Sequence, residues 1–335
     1  MHTSARLALA SSVVLFTACG GSDGPDGTGP GPDTPNAPPS LFAAGIAFDH
    51  ERDRVIVTGG DGSAGPTAAT WEWSGTAWTR TATTGPSARM WASMVYDPDR
   101  RRTVLFGGLA GTSILGDTWE YDGAAWRQLS ATGPSARYAH EMVYDVARRR
   151  VVLVGGRNAA TPLSDVWEFD GSAWHQVAAT ALTARFALGL AFDVARERTV
   201  AFGGYGPTTG GTQQSLAGTW TRANADWEQR TGTEPSARDH VAMVYDAGRQ
   251  RVVLYGGISS EGGSPRQLLE TWEWDGTAWS QRATTGPTPN GNHRLVYDSR
   301  RNRVLLWTDA AATGDRTEMW TWNGTAWTRV AEFSP

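Results

Sequence analysis

One heptapeptide, Gly-Asp-Thr-Trp-Glu-Tyr-Asp at 116–122, recurs in altered form six times, and its spacing restricts what the chain can fold into. Its central tryptophans are Trp71, Trp119, Trp167, Trp220, Trp272 and Trp320. Each is followed seven residues later by another, at Trp78, Trp126, Trp174, Trp227, Trp279 and Trp327. An aromatic-Asp pair recurs in step at Phe48-Asp49, Tyr96-Asp97, Tyr144-Asp145, Phe192-Asp193, Tyr245-Asp246 and Tyr297-Asp298. Five repeats carry a double glycine between the two landmarks, as at Gly107-Gly108 and Gly256-Gly257. A period of 48 to 53 residues holding four short apolar runs is the signature of a propeller blade. Such a unit cannot bury its own faces and must stack on its neighbours.

Within residues 134–179 the four runs are Ala139 to Tyr144, Val151 to Val154, Val166 to Phe169 and Trp174 to Val177. Each has the length of a strand and none that of a helix. We label them A to D. Asp-x-x-Arg-x-Arg turns such as Asp145 to Arg150 join A to B, and Asp-Gly or Asn-Gly turns such as Asp170-Gly171 join C to D. The periodic tryptophans read as packing between blades rather than as a ligand-stacking set. A dozen of them, each hiding roughly 150–250 Å², give tens of kcal/mol of gross burial at ~25 cal/mol per Å².

An arginine opening A, Gly-Gly closing B, an aromatic-Asp in C and a tryptophan in D together resemble the kelch repeat. The resemblance covers 41–331 and implies an all-β, six-bladed kelch-type propeller like the central domain of galactose oxidase, with four antiparallel strands per blade. The blades fall at about 41–83, 84–131, 132–179, 180–232, 233–284 and 285–331. Two repeats depart from the pattern. Blade 1 has Leu41 where blades 2 to 5 have Arg89, Arg137, Arg185 and Arg238, and blade 6 has Asn290 there with Thr308-Asp309 replacing the glycines. The four arginines are expected to bond carbonyls and acids of the adjacent blade. Since the repeats begin with A and end with D, no blade should be shared between the termini, and blades 1 and 6 should meet through side chains including Phe42 and Trp327.

The N-terminus reads as a processing signal. Arg6 is followed by an apolar run, Leu7 to Phe16, too short to span a bilayer, and then by Thr17-Ala18-Cys19. This resembles a bacterial lipobox, which implies a lipoprotein signal peptide over 1–18, lipidation of Cys19, and anchoring in the cell envelope, with the outer membrane the expected address. Residues 19–40 are rich in Gly, Pro and Asp and read as a disordered tether. Cys19 is the only cysteine, so a disulfide in the folded part is excluded. The net charge of −4 comes without acidic or basic blocks, which argues against a nucleic-acid groove. A monomer is expected.

Antiparallel strands place the D–A and B–C connections on one face and the short A–B and C–D turns on the other. From the B glycines to the C tryptophan there are 11 residues in blades 1 to 3, but 16 in blade 4 and 15 in blade 5. The variation therefore falls in one kind of loop on one face, where binding residues are commonly carried on a rigid frame. At the starts of the A strands the ligand-binding candidates are Trp91, Tyr138, His140, Asp239, His240, His293 and Arg294. His240 stands one residue out of register with His140 and His293, so it should point the opposite way along a pleated strand. That weakens a metal reading, and no metal or cofactor is expected.

His140-Glu141 begins like a zinc-protease signature, but Tyr144 occupies the second histidine's place and the segment is a strand. No nucleophile elbow or phosphate loop is present. Copper chemistry of the galactose-oxidase kind needs a crosslinked cysteine, and the propeller has none. The expected function is a membrane-tethered binding or scaffold module contacting a protein or glycan through the loops of blades 4 and 5. The alternative is a small-carbohydrate enzyme resembling the kelch-type mutarotases, with Glu141 as the acid/base at the channel mouth.

Overall fold

The aromatic-Asp pair ends the A strand of each repeat because its carboxylate closes the turn that follows. Asp49 Oδ1 accepts from the amides of Glu51 and Arg52, both at 3.0 Å, and its Oδ2 accepts from Arg52 Nε at 2.7 Å. Asp97, Asp145, Asp246 and Asp298 repeat the arrangement with Arg100, Arg148, Arg249 and Arg301. Arg52 continues to Glu72 of strand C, as Arg148 does to Glu168, so one ion-pair relay through the A–B turn ties the end of strand A to strand C.

The computed structural model describes residue 38 and residues 41–333 except 63, 82–83, 131, 179–180, 209, 225, 262 and 311–316; Cys19 and the tether lie outside the described residues. Six four-stranded antiparallel sheets, each in the order A-B-C-D, form the blades, and three two-stranded ribbons lie in B–C loops. In blade 3 these are Glu141–Asp145, Arg150–Val154, Val166–Phe169 and Trp174–Val177. The other A strands are Gly45–Asp49, Ser93–Asp97, Gly189–Asp193, Ala242–Asp246 and Pro289–Asp298, and they line the centre of the ring. The chain is thus an all-β, six-bladed propeller. No helix among the described residues is long and apolar enough to cross a membrane.

Neighbouring blades are joined by a recurring bond from the D tryptophan to a threonine at the start of the preceding blade's C strand. Trp126 Nε1 donates to Thr70 Oγ1 at 2.8 Å, Trp174 to Thr118 at 3.0 Å, Trp279 to Thr219 at 2.7 Å and Trp327 to Thr271 at 2.8 Å. Blade 3 has Val166 at the threonine position, and Trp227 Nε1 of blade 4 is buried with no acceptor among the described residues.

Every sheet is built from strands contiguous in sequence, so the ring closes by packing blade 6 against blade 1. The seam holds Trp78 edge-on to Trp307 at 5.1 Å, within a core shared with Val296, Leu305 and Met319. On the A–B turn face Arg301 clamps Asp53 at 2.7 and 2.8 Å. Phe42 and Trp327 do not make this seam. Trp327 lies 4.9 Å from Tyr255 of blade 5, because a D strand packs on the blade before it, and Phe42 packs on Trp91 of blade 2 at 5.7 Å.

Candidate functional site

Just before the A strands of blades 1 to 5 the chain turns through one left-handed residue: Ala43, Trp91, Ala139, Ala187 and His240 have φ between 52 and 59°. The amides at these positions face the preceding blade. Trp91 N donates to Ala43 O, Ala139 N to Trp91 O, Ala187 N to Ala139 O and His240 N to Ala187 O, at 2.8–3.0 Å. This belt of backbone hydrogen bonds rims one end of the central channel and fixes how the following residues project into it. Two positions on stand Gly45, Ser93, Glu141, Gly189, Ala242 and Arg294.

The channel encloses a cavity of about 340 Å³, within the range of small-molecule sites. Its walls are mainly the alanines, valines and ring faces of the A strands, and among the described residues Glu141 supplies their only carboxylate and Arg294 their only guanidinium. Blades 3 and 6 are opposite one another in a ring of six, so these two groups face across the channel. Glu141 keeps some solvent contact through the cavity but has protein on all sides. Burial raises its pKa above the usual carboxylate range, and the charges of Arg294 and His240 oppose that rise only in part. A buried carboxyl whose pKa is raised, within electrostatic reach of an imidazole and a guanidinium, can donate or accept a proton or hydrogen-bond a polar ligand.

His240 stands at the rim, where its Nδ1 bonds Asp239. Asp239 is itself buried and accepts from Ser215 Oγ at 2.6 Å. Ser215 ends a small ribbon, Tyr205–Pro207 with Gln213–Ser215, in the long B–C loop of blade 4. It exchanges bonds with Ser260 of the blade 5 loop, amide to hydroxyl in both directions, at 2.8 and 3.0 Å. The two long loops are therefore clasped together and rooted through Asp239 to His240. Neither serine stood out in the sequence, because the clasp joins two loops of different blades and no periodicity marks it.

Two of the three histidines leave the mouth. His140 is buried edge-on to Phe106 at 5.5 Å, and desolvation, helped by Arg137, pushes its pKa down to about 3. His293 is buried with Nε2 at 2.9 Å from the Tyr255 carbonyl, and desolvation pushes it down to about 4. Both belong to blade packing, as their common register allows, and His240 points elsewhere. Trp91 and Tyr138 stack on each other at 5.7 Å on the loop face, with Tyr138 only 6% exposed. Among the described residues no group of three or more His, Cys, Asp or Glu side chains could hold a metal ion.

Three of the four arginines bond an acid of their own blade, which corrects the expectation of an adjacent-blade partner. Arg89 takes Asp117 at 2.6 and 2.9 Å, Arg137 takes Asp165 at 2.6 and 2.7 Å, and Arg238 takes Glu270 at 2.7 Å. The acid sits two residues before the C tryptophan and also accepts its indole N–H, as Asp117 does from Trp119 at 2.6 Å. Arg185 is the exception and has no carboxylate partner among its hydrogen bonds.

No protein-family model matches the chain, and no curated protein does. Solved structures do match it. One titled "Structure of YjhT" aligns with a TM-score of 0.67 at 14% identity, covering 88% of this chain and 99% of that one. At that identity the likeness speaks for the fold alone.

Proposed function

We propose that the chain is an extracytoplasmic kelch-type binding module, tethered to the cell envelope through a lipid on Cys19, that takes the polar end of a glycan or protein into the mouth of its channel. The observation that carries this reading is the pairing of Glu141 with Arg294 in the walls of a channel that is otherwise largely apolar, with the rim residue His240 within electrostatic reach of Glu141. The clasped loops of blades 4 and 5 are rooted at that rim residue and would extend the contact surface. Rigid framing of a few polar groups is what a small-ligand site requires.

A second reading rests on the raised pKa of Glu141. A mutarotase-like enzyme would use that carboxyl as its acid/base, with Arg294 and His240 holding the sugar. One variant separates the two. Glu141→Gln keeps the shape and hydrogen-bonding capacity of the side chain but cannot carry a proton between atoms. An array of immobilised glycans and peptides, probed with wild type and Glu141→Gln, should show shared binders for a binding module. Anomer interconversion of free sugars by wild type, abolished in Glu141→Gln, would establish the enzyme instead. Loss of no binder on Arg294→Ala would show that the mouth is not the contact point.

A further inference from the structure

Blade 4 lacks the acid that its arginine meets in the neighbouring repeats. Two residues before the C tryptophan stand Asp117, Asp165 and Glu270 in blades 2, 3 and 5, but Gly218 in blade 4. Arg185 keeps the other bonds of its equivalents. Its Nε reaches the Thr183 carbonyl at 3.0 Å, its Nη1 the Gly203 carbonyl at 2.9 Å and its Nη2 the Thr183 hydroxyl at 2.7 Å. The two bonds missing are those that Asp117 and Asp165 accept from Arg89 and Arg137. The indole of Trp220 shows the same gap: Nε1 is buried without an acceptor among the described residues, whereas Trp119, Trp167 and Trp272 donate to their acids at 2.6–2.9 Å.

Blade 1 shows the inexpensive way to lose such a pair. It has Leu41 for the arginine and Ala69 for the acid, both packed in one apolar core. Replacing both partners with apolar groups costs little, whereas keeping one buried charge alone is strongly unfavourable. Blade 4 keeps the charge without a carboxylate, its guanidinium carbon lying 6.0 Å from the centre of the Trp220 ring. Arg185 is 3% exposed, and burial alone pushes its pKa down to about 10. The vacancy is also fixed by the backbone, since Gly218 has φ +101°, a conformation that an aspartate or glutamate would occupy only under strain. A Cβ at Gly218 would lie 3.1 Å from Trp220 Nε1 and 3.4 Å from Gln229 Nε2, so N–H groups surround the place. In blades 2, 3 and 5 the acid side chain there is 20–26% exposed, so the position lies at the solvent boundary.

We propose that Arg185 and the Trp220 indole form a receptor for a carboxylate supplied from outside the chain, bound where the other blades place their own Asp or Glu. The ligand group is a planar carboxylate, which a guanidinium fork takes by two parallel bonds while the indole N–H meets one oxygen. This site is separate from the channel mouth, and Glu141→Gln should leave it intact.

Thermal unfolding in sodium acetate, against sodium chloride at equal ionic strength, tests the proposal. Wild type should show a saturable rise in Tm with acetate beyond that with chloride. Trp220→Phe, which keeps the ring and removes the N–H, should need roughly tenfold more acetate, the factor expected for one lost hydrogen bond to a charged group. Arg185→Gln should not respond. An acetate response equal in wild type and either variant, or none beyond chloride in wild type, overturns the proposal. Should Arg185→Gln fail to fold, the comparison of Trp220→Phe with wild type decides.

Discussion

Single side chains in this propeller are best understood by comparing the repeats, which act as internal controls. Trp227 differs from its four partnered counterparts because blade 3 offers a methyl, on Val166, where the others offer a hydroxyl. Val166→Thr should therefore stabilise the protein by about 1 kcal/mol, the net worth of an intramolecular hydrogen bond. A higher urea midpoint at unchanged m-value would register it, and a lower midpoint would show that the hydroxyl is merely buried. His140 and His293 give a second residue-scale expectation. Both are held neutral when folded, with pKa values down to about 3 and about 4, whereas the unfolded chain titrates near 6.5. The unfolded state therefore binds more protons between these limits. Stability is full above pH 6.5 and falls as pH drops, by about 1.4 kcal/mol per pH unit for each imidazole. Replacing both with Phe or Leu should flatten the unfolding free energy over pH 4–6.5. An unchanged slope would show that other groups dominate it.

At the scale of elements, the strands were legible and their cross-connections were not. The period, the Asp-closed A–B turns and the tryptophan pairs recur six times, and recurrence is what makes a pattern readable in one sequence. The expected runs of blade 3 match its B, C and D strands to within one residue, and A starts two residues late because Ala139 belongs to the left-handed belt. The clasp of Ser215, Ser260 and Asp239 occurs once, across two loops of unequal length, and nothing in the sequence could single it out. It divides the blade 4 loop into a tip and a root. The tip closes on itself through Thr208 N to Thr212 O at 2.9 Å, while at the root the Leu216 carbonyl accepts from Arg238 N at 3.0 Å. Shortening 208–212 should leave Tm nearly unchanged. Ser215→Ala should cost about 1–3 kcal/mol by stripping a hydrogen bond from buried Asp239. Equal effects of the two changes would mean that the clasp contributes nothing.

For the whole molecule, ring closure is what creates the site. Glu141 and Arg294 are separated by half the ring and by 153 positions, and neither carries a motif. The sequence supplied both as candidates, yet also grouped His140 and His293 with them, because shared register does not say whether a side chain turns into the blade or the channel. Only closure, through Trp78 on Trp307 and Arg301 on Asp53, sets blade 3 across from blade 6. The titration of Glu141, followed by its carboxyl ¹³C shift in wild type and in Arg294→Met, tests directly whether the two groups act on one another across the channel. The midpoint should lie above 4.5 in wild type and rise further in the variant, where a charge favouring the carboxylate is gone. A wild-type midpoint at or below 4.5, or one that Arg294→Met leaves unmoved, would contradict the assignment of the channel mouth as the working site.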